Sequence, residues 1–363
     1  MEFAYFNVLP QADGKKRPRQ AVGESLTQIK AAEDAGFDIA WFTEHHYTNF
    51  SLVPSPHLLA AYLIPQTKRI KFGGAVHVLA LYNPGRFAEE IAFLDDVTDS
   101  RFVLGLGIGF QKAEFERLGY RLEDARPLFH EALDILELAL TKEGFKYDGK
   151  FNRMPQSYLP YRPKAMLPVY IAGGPDDADL QTRIARAGYT PFISGQWKTA
   201  KEMLAQRERI AVHRAAAGRP EPEFPLAVNR FVHVTEDHGE ALHAAEQLRY
   251  SYRIAHNLRT PHYQIDRHVI QDAPAKGEPD LDTIAKNAII GGWEKCAEQL
   301  IEEFRLLRPS HLSCCMQFGG TTHAAAMASL ERFAAKVLPA VTKELGDLKK
   351  LGPAAPPLRS VAE

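Results

Sequence analysis

Short apolar runs recur along the chain, and each is followed by polar or glycine residues and then by an amphipathic helical pattern. Runs of this length between turn signals are typical of buried parallel strands, and their alternation with helices predicts repeated strand–helix units. Eight runs are predicted as strands, and they end near Val8, Phe42, Leu79, Ile108, Ala172, Ser194, Val234 and Met316. Eight units without an interdomain linker predict an α/β fold, a single (β/α)8 TIM barrel over residues 1–345. Its chemistry is expected at the carboxyl ends of the strands.

Two stretches do not fit this repeat. Residues 141–167 carry several prolines and form a long excursion after the fourth strand, and residues 259–279 are polar and aperiodic. Long irregular segments in a compact fold usually form walls or lids over a site. The barrel is therefore predicted to carry insertions after strands 4 and 7, the second a lid-like segment at about 257–280. Residues 346–363 are predicted to form a loose C-terminal tail.

Composition and charge narrow the function classes. The 363 residues include 44 Lys and Arg against 45 Asp and Glu, so no global field favours nucleic acid or an anionic membrane as partner. No apolar run reaches the length of a membrane span, and the strand-like start at residues 2–8 is unlike a signal peptide. The three cysteines, Cys296, Cys314 and Cys315, suggest no disulfide framework, which predicts a cytoplasmic location.

Candidate chemistry stands at the end of the second strand, where Glu44, His45 and His46 follow an apolar run. Neighbouring side chains in an extended segment diverge, so at most one imidazole is expected to face the barrel mouth. An imidazole titrates near neutrality and suits proton transfer. The alternative is two structural histidines with a buried capping Glu44. A metal site is not favoured, since no third ligand stands at a recognisable spacing and HExxH is absent.

Glycines mark the ends of the third and fourth strands, at Gly73 and Gly74 before Ala75 and Val76, and at positions 105, 107 and 109. Small residues allow a flat ring to lie against backbone, although glycines in a strand can also mark a bulge. The later glycines lack the GxGxxG spacing and follow the fourth strand rather than the first. A Rossmann dinucleotide site is therefore not favoured.

Several of these motifs, in this order, resemble the bacterial luciferase-like family of flavin-dependent monooxygenases over roughly residues 1–340. The resemblance implies a monooxygenase that takes reduced FMN (FMNH2) from a separate flavin reductase. With O2 it would oxygenate a small organic substrate through a C4a-(hydro)peroxyflavin. The absence of a nicotinamide motif agrees with a separate reductase. The motifs that carry the resemblance are Glu44 to His46, Gly73 to Val76, Asn83 and Pro84, Ala88 to Glu90, Leu94 and Asp95, Arg101 and Phe102, Gly105 to Gly109, and Met316 to Gly320.

The same resemblance assigns roles to particular residues. His45, with Glu44 beside it, would act in catalysis at the flavin's reactive edge, and the bond between Ala75 and Val76 would be a non-proline cis peptide. The predicted cofactor contacts are Gly74, Ala75, Val76, Gly107, Ile108, Arg126, Gly173, Gly174 and Ser194. Apart from the resemblance, aromatic and polar residues near the strand ends are predicted as substrate contacts: Tyr47, His77, Phe110, Trp197, Gln317 and Phe318.

The phosphate site is where the chain departs from the family. Backbone amides of Gly173 and Gly174 precede a helix, and Arg126 matches a family position that reaches the cofactor phosphate. However, Ile108 stands where some members have arginine. The loop where relatives usually offer serine or threonine is crowded by Asp176, Asp177 and Asp179. Carboxylates there make sense as helix caps but would repel a phosphate.

Three other functions stay open from the sequence. One is an F420-dependent oxidoreductase, which would use the same barrel to move hydride without oxygen. Another is a noncatalytic flavin-binding partner subunit, and a more distant one is a divalent-metal hydrolase. The family resemblance also implies a homodimer that pairs through helices of the amino-terminal half.

Overall fold

The computed structural model describes residues 1–163, 165–220, 223–259 and 264–353. Eight of its strands are parallel and form one closed ring, in the order β1, β2, β3, β5, β8, β9, β10, β14 and back to β1. The predicted TIM barrel is therefore confirmed. In the described residues the strands are β1 (Glu2–Asn7), β2 (Ile39–Phe42), β3 (Lys71–Gly74), β4 (His77–Val78), β5 (Phe102–Gly107), β6 (Phe145–Asp148), β7 (Arg153–Ser157), β8 (Val169–Ala172), β9 (Thr190–Gln196), β10 (Ala227–Val234), β11 (Ile265–Asp266), β12 (Val269–Ile270), β13 (Ile289–Gly291) and β14 (His311–Gln317).

Amphipathic helices connect the strands and cover the outside of the barrel. A π-helical segment, Phe333–Val337, joins the last two helices. No helix in the described part of the chain combines the length and apolar character that crossing a membrane requires. The helices are α1 (Pro18–Asp34), α2 (Pro56–Leu63), α3 (Pro84–Val97), α4 (Lys112–Arg117), α5 (Ala125–Thr141), α6 (Ala178–Ala187), α7 (Ala200–Ala216), α8 (His238–Asn257), α9 (Leu281–Asn287), α10 (Trp293–Leu307), α11 (His323–Arg332) and α12 (Leu338–Leu345).

Both predicted insertions lie where the sequence places them. After β5 the chain forms α4, α5 and the antiparallel hairpin β6–β7, and after β10 it forms α8, the hairpin β11–β12, α9 and β13. The second hairpin is tied to the loop after β2, because the backbone N–H of Ile270 donates to Asn49 Oδ1 at 2.9 Å. Of the predicted tail, Leu348–Lys350 form a helical turn, and residues 354–363 lie outside the described residues.

The third predicted strand is interrupted. β3 ends at Gly74, the peptide bond between Ala75 and Val76 is cis as the family resemblance implies, and His77–Val78 then pairs with β5 as the short strand β4. Gly73 and Gly74 allowed for a bulge here, but the apolar residues on either side did not predict that the strand divides in two. The backbone N–H of Ala75 donates to Phe42 O at 2.7 Å, which keeps the break attached to β2.

Aromatic rings fill the barrel interior below the strand ends. Trp41 packs against Tyr170 at 5.1 Å and Phe192 at 5.8 Å between ring centroids, and its indole N–H donates to His311 Nε2 at 3.0 Å. Trp41 and His311 are fully buried. This layer closes the lower part of the barrel, so open space in it lies above Trp41, at the carboxyl ends of the strands.

Candidate functional site

A cavity of about 240 Å³ opens at the carboxyl ends of the barrel strands. It lies where a TIM barrel carries its active site. Apolar and aromatic side chains form most of its wall, with a few polar groups among them. Its described lining residues are Phe6, Val8, Thr43, His45, Phe50, Ala75, Val76, Phe110, Ala172, Phe192, Ile193, Ser194, Gln196, Asn229, Phe231, Leu248, Ser251, Tyr252, Ala255 and Arg259.

His45 is the imidazole in this wall, and helix α4 holds it in place. Its Nδ1 lies 3.1 Å from Glu114 Oε1 and 2.9 Å from the side-chain amide of Gln111. Glu114 is 1% exposed, and the same Oε1 accepts the backbone N–H of His46 at 2.8 Å. The ring also packs against Phe50, with 4.5 Å between ring centroids. A buried carboxylate therefore fixes both the position and the orientation of this imidazole.

These contacts also define which nitrogen of His45 carries the proton. A neutral imidazole nitrogen either donates or accepts, so Nδ1 cannot donate to Glu114 while accepting from a Gln111 N–H. Gln111 Oε1 is buried without a partner, and turning the amide over brings that oxygen to Nδ1. Nδ1–H then donates to both groups. Nε2, which has no hydrogen bond among the described residues, is left as the free acceptor.

The two neighbouring histidines diverge, as extended geometry predicts. His46 Nε2 lies 2.9 Å from Glu44 Oε1, and Glu44 Oε2 accepts the hydroxyl of Tyr82 at 2.6 Å and the backbone N–H of Val78 at 3.2 Å. Burial lowers the pKa of His46, but the hydrogen bond and charge of Glu44, with the charge of Glu114, raise it above its usual value. Glu44 is 2% exposed and does not line the cavity, so it ties β2 to β4 instead of facing a ligand.

The glycines at the strand ends pack against protein and are not bare backbone facing the cavity. A Cβ on Gly74 would meet the ring of His77 at 2.5 Å, one on Gly105 would lie 2.0 Å from Gly74 O, and one on Gly107 would meet Val76 at 2.6 Å. The expectation that a flat ring lies against the backbone of these glycines is therefore not met at these three positions. Their small size lets β3, β4 and β5 approach one another, while Ala75 and Val76 form the cavity wall.

The residues predicted to bind the phosphate lie near one another, but the arginine among them already forms an ion pair with a carboxylate. Arg126 Nη1 donates to Asp177 Oδ1 at 2.8 Å, and its Nη2 lies 2.7 Å from Asp177 Oδ2. Asp177 also caps α6 by accepting the backbone N–H of Leu180. Gly174 is in this loop, where its carbonyl accepts the N–H of Asp177. Arg126, Gly173, Gly174, Gly107 and Ile108 do not line the cavity.

Of the predicted substrate contacts, only Phe110 lines the cavity. Trp197 lies behind Tyr252, with 4.5 Å between ring centroids, and Phe318 lies behind Phe231 at 5.2 Å. Gln317 turns outward, where its Oε1 accepts the amide N–H of Gln28 at 2.8 Å. Tyr47 is 57% exposed outside the cavity. Ser194, predicted as a cofactor contact, does line it.

His77 also lies outside the cavity. It is fully buried between Phe87 and Phe102, its Nδ1–H donates to Gly105 O at 3.2 Å, and its Nε2 has no partner. Burial, with the nearby charge of His57, lowers the pKa of His77 to about 3. The alternation of β4 sends this side chain to the helix side of the sheet.

Because the ring of His77 is buried in its neutral form, the stability of the folded protein is expected to fall in acid. Between the ordinary pKa of 6.5 and about 3, the unfolded chain binds a proton that folded His77 does not, so this contribution is present above 6.5 and is lost as pH falls. Each pH unit in that window should lower the free energy of unfolding by about 1.4 kcal/mol. Urea titrations of wild type and His77→Leu at several pH values measure the difference in slope. Equal slopes would contradict the prediction.

Sequence reasoning missed the helix that covers the cavity. Leu248, Ser251, Tyr252 and Ala255 of α8, and Arg259 just after it, line the mouth. Their spacing of three, four, seven and eleven residues from Leu248 is one face of a helix. That periodicity was visible in the sequence, but it does not tell whether the face covers the outside of the barrel or its mouth.

The fold is a TIM barrel with a cavity at its strand ends, where enzymes of this fold carry their active sites. A family model for luciferase-like monooxygenases matches residues 1–310, and the chain belongs to that family. This is a family of flavin-dependent monooxygenases, as the sequence motifs predict. The chain is also 30% identical over 349 residues to the uncharacterized protein y4vJ of Sinorhizobium fredii (strain NBRC 101917 / NGR234), covering 95% of this chain and 99% of that one.

Solved structures of similar fold include enzymes with two kinds of cofactor. Monooxygenase RslO1 from Streptomyces bottropensis has a TM-score of 0.76 at 18% identity, covering 93% of this chain and 99% of that one. The oxygenating constituent of 3,6-diketocamphane monooxygenase from Pseudomonas putida, in complex with FMN, has a TM-score of 0.73 at 19% identity. The match covers 93% of this chain and 98% of that one. An F420-dependent secondary alcohol dehydrogenase has a TM-score of 0.70 at 18% identity, covering 94% and 98%. At these identities the likeness concerns the fold.

Proposed function

We propose that this protein is a two-component, FMN-dependent monooxygenase. It would use reduced FMN from a separate flavin reductase, and O2, to oxygenate a small organic substrate. The observation that carries the proposal is the cavity-lining imidazole of His45, held by Glu114 so that Nε2 is free. Membership of the luciferase-like family and the FMN-bound structural neighbour support the choice of cofactor.

The cavity residues fit a planar heterocycle. Phe110, Ala75 and Val76 offer apolar faces, and Asn229 Oδ1 is buried in the wall without a partner, where it can accept an N–H from a bound ring. When bound, reduced flavin supplies the electrons that activate O2. Its phosphate is not expected at Arg126, whose guanidinium is engaged by Asp177.

The chain's own contribution is positioning, exclusion of water and handling of one proton. His45 Nε2 accepts the proton, and Glu114 stabilises the resulting imidazolium through Nδ1–H. Phe50 and Phe110 pack against the ring of His45 and shield it from solvent. A dry, aromatic wall strengthens the interaction of Glu114 with the charged ring, because the local dielectric is low.

The test combines cofactor binding with oxygen incorporation. Under anaerobic conditions the protein is titrated with reduced FMN and, separately, with reduced F420, and each complex is then mixed with isotopically labelled O2 and a panel of organic compounds. We expect binding of reduced FMN, a labelled product, and NADH consumption only when a flavin reductase is added. NADH oxidation by the protein alone at a comparable rate would contradict the two-component proposal.

Two alternative functions would give different results in the same experiment. The F420-dependent neighbour favours an oxidoreductase that moves hydride on this barrel, and turnover with reduced F420 in the absence of O2 would identify it. A noncatalytic flavin-binding partner subunit would bind reduced FMN but form no labelled product as an isolated chain. Strict dependence of product formation on O2 separates the proposed monooxygenase from both.

We also propose a cytoplasmic homodimer. Helices α2 and α3 present large apolar side chains to solvent, with Leu58 67% exposed, Tyr62 65%, Phe93 54% and Val97 56%. Contiguous exposed apolar surface usually marks an interface. Light scattering should therefore report a dimer for the wild type and a monomer for Phe93→Glu. The matched control is Val212→Glu on α7, also 67% exposed, which should remain dimeric. A monomeric wild type would contradict this.

A further inference from the structure

The cavity contains positive charge that no carboxylate balances. Among its described lining residues there is no Asp or Glu, and Arg259 carries the permanent charge. The guanidinium lies over the ring of Phe110, with 4.4 Å from Cζ to the ring centroid. This cation–π contact positions Arg259 over the mouth but leaves its N–H donors without a recorded acceptor in the described chain.

A second cation, Lys198, stands two residues after Gln196, which lines the cavity at the end of β9. Lys198 follows β9, where its backbone N–H donates to Gly195 O at 2.7 Å and its carbonyl accepts Arg230 Nη1 at 2.8 Å. Burial lowers the pKa of Lys198, the charge of Glu202 opposes this, and the charges of Arg230, Arg209 and Arg259 add to the lowering. The ammonium of Lys198 has no hydrogen bond or ion pair among the described residues.

The neighbouring arginines, unlike Lys198 and Arg259, form ion pairs with carboxylates. Arg230 is paired with Glu303 at 3.3 Å, and Arg209 with Asp176 at 3.0 Å. Of these four cations, Lys198 and Arg259 are therefore the two without a direct ion pair among the described residues, and Glu202 acts on Lys198 only through its charge. An anion that approaches the cavity meets these two groups with their donors free.

The adjoining wall supplies neutral hydrogen-bonding groups. Ser194 on β9 and Asn229 on β10 are direct partners in the parallel register, and both line the cavity. Asn229 is 6% exposed and its Oδ1 is unpaired, so this amide is a polar group that only a ligand can complete. Its side-chain NH2 group can donate to an anion beside the Ser194 hydroxyl.

We infer that Arg259 and Lys198, with Ser194 and Asn229, form an anion-binding subsite at the cavity mouth that takes the carboxylate or phosphate group of a ligand. This rests on the proposed function, since it specifies what the same cavity binds. The group has two possible sources, an ionised substrate or the phosphate of the flavin. The pairing of Arg126 with Asp177 excludes the other arginine that the sequence suggested for this purpose.

The first arm of the test asks about substrate. Benzoate and its neutral counterpart benzamide are titrated into the protein by calorimetry at low and at high salt. If the subsite holds a substrate anion, benzoate should bind about tenfold more tightly than benzamide, as expected for one charge-assisted contact. This preference should shrink with salt, because the guanidinium is exposed, and should vanish in Arg259→Gln. Lys198→Gln should reduce it.

The second arm asks about the cofactor, with reduced FMN compared against reduced riboflavin, which lacks the phosphate. If the subsite holds that phosphate, FMN should bind about tenfold more tightly, and Arg259→Gln should abolish the difference. Arg209→Gln is the matched control, since it removes a nearby arginine that Asp176 already neutralises, and it should leave both preferences unchanged.

The two arms have separate outcomes. A preference in either pair of ligands that Arg259→Gln removes supports the subsite and identifies its source. Equal binding within both pairs, or a preference that survives in Arg259→Gln, overturns it. The proposed function fails in a different way, if reduced FMN and reduced riboflavin both fail to bind.

Discussion

Substitution of His45 by asparagine is expected to lower the rate of substrate oxygenation by about 10²- to 10⁴-fold, the usual contribution of one positioned acid–base group. The asparagine amide can keep a hydrogen bond to Glu114, so the buried carboxylate stays partnered and the fold is preserved. What is lost is the cavity-lining nitrogen that accepts a proton. Product formation in a single turnover, started by mixing anaerobic protein, reduced FMN and substrate with O2, measures the effect.

The control for this experiment is His243→Asn, an exposed histidine on α8 that should leave the rate unchanged. Binding of reduced FMN should change little in His45→Asn, because the ring contacts proposed for Phe110, Ala75 and Val76 remain. A loss confined to binding would mean that His45 holds the cofactor without moving a proton. Full turnover in His45→Asn would contradict the proposed role.

Glu114 allows the same mechanism to be tested without a substrate. The proton of His45 is expected on Nδ1, and imidazole nitrogen NMR shifts of the labelled protein distinguish the two tautomers. In Glu114→Ala the fixed acceptor is gone, so a mixture of tautomers and a slower single turnover are expected. Glu114→Gln retains an acceptor oxygen and should keep most of the Nδ1–H signal. An unchanged tautomer in Glu114→Ala would show that Gln111 alone sets it.

The barrel could be predicted from the sequence because its signal is repeated and local. Eight apolar runs, each followed by a helix pattern, leave few other ways to bury their faces, and the structure has the same ring of strands. Alternation along an extended segment predicted that only one of the two neighbouring histidines faces the mouth, and the family resemblance identified it as His45.

Contacts between distant segments could not be predicted in this way. Glu114 reaches His45 from 69 positions along the chain, and Asp177 reaches Arg126 from 51. Gln317 was expected at the mouth, but its amide is satisfied by Gln28 on α1. The side of the sheet that His77 faces depended on the break after Gly74, and the glycines there suggested a bulge without fixing the direction of His77. Each miss concerns which partner a polar group finds, and periodicity carries no information on that.

Removal of Glu303 is expected to destabilise the folded protein strongly. Its carboxylate and the guanidinium of Arg230 lie 3.3 Å apart, and both side chains are 1% exposed. Glu303→Met leaves a buried arginine that cannot lose its proton, which should cost about 3–5 kcal/mol in the free energy of unfolding. The exposed neighbour Glu302→Met on the same helix is the matched control and should cost less than about 0.5 kcal/mol.

Replacement of the partner, Arg230→Met, should have a different effect on stability, because the carboxyl group that remains can be neutralised by a proton. Burial raises the pKa of Glu303, and Arg230 opposes this, so in Arg230→Met the remaining carboxyl group binds a proton more readily still. Since its folded pKa then exceeds the ordinary value of 4.5, the stability of Arg230→Met should fall as pH rises above that value. Glu303→Met has no such group and should lack this additional dependence. Urea midpoints and slopes at several pH values measure both variants, and identical pH profiles would contradict the assignment of a buried ion pair.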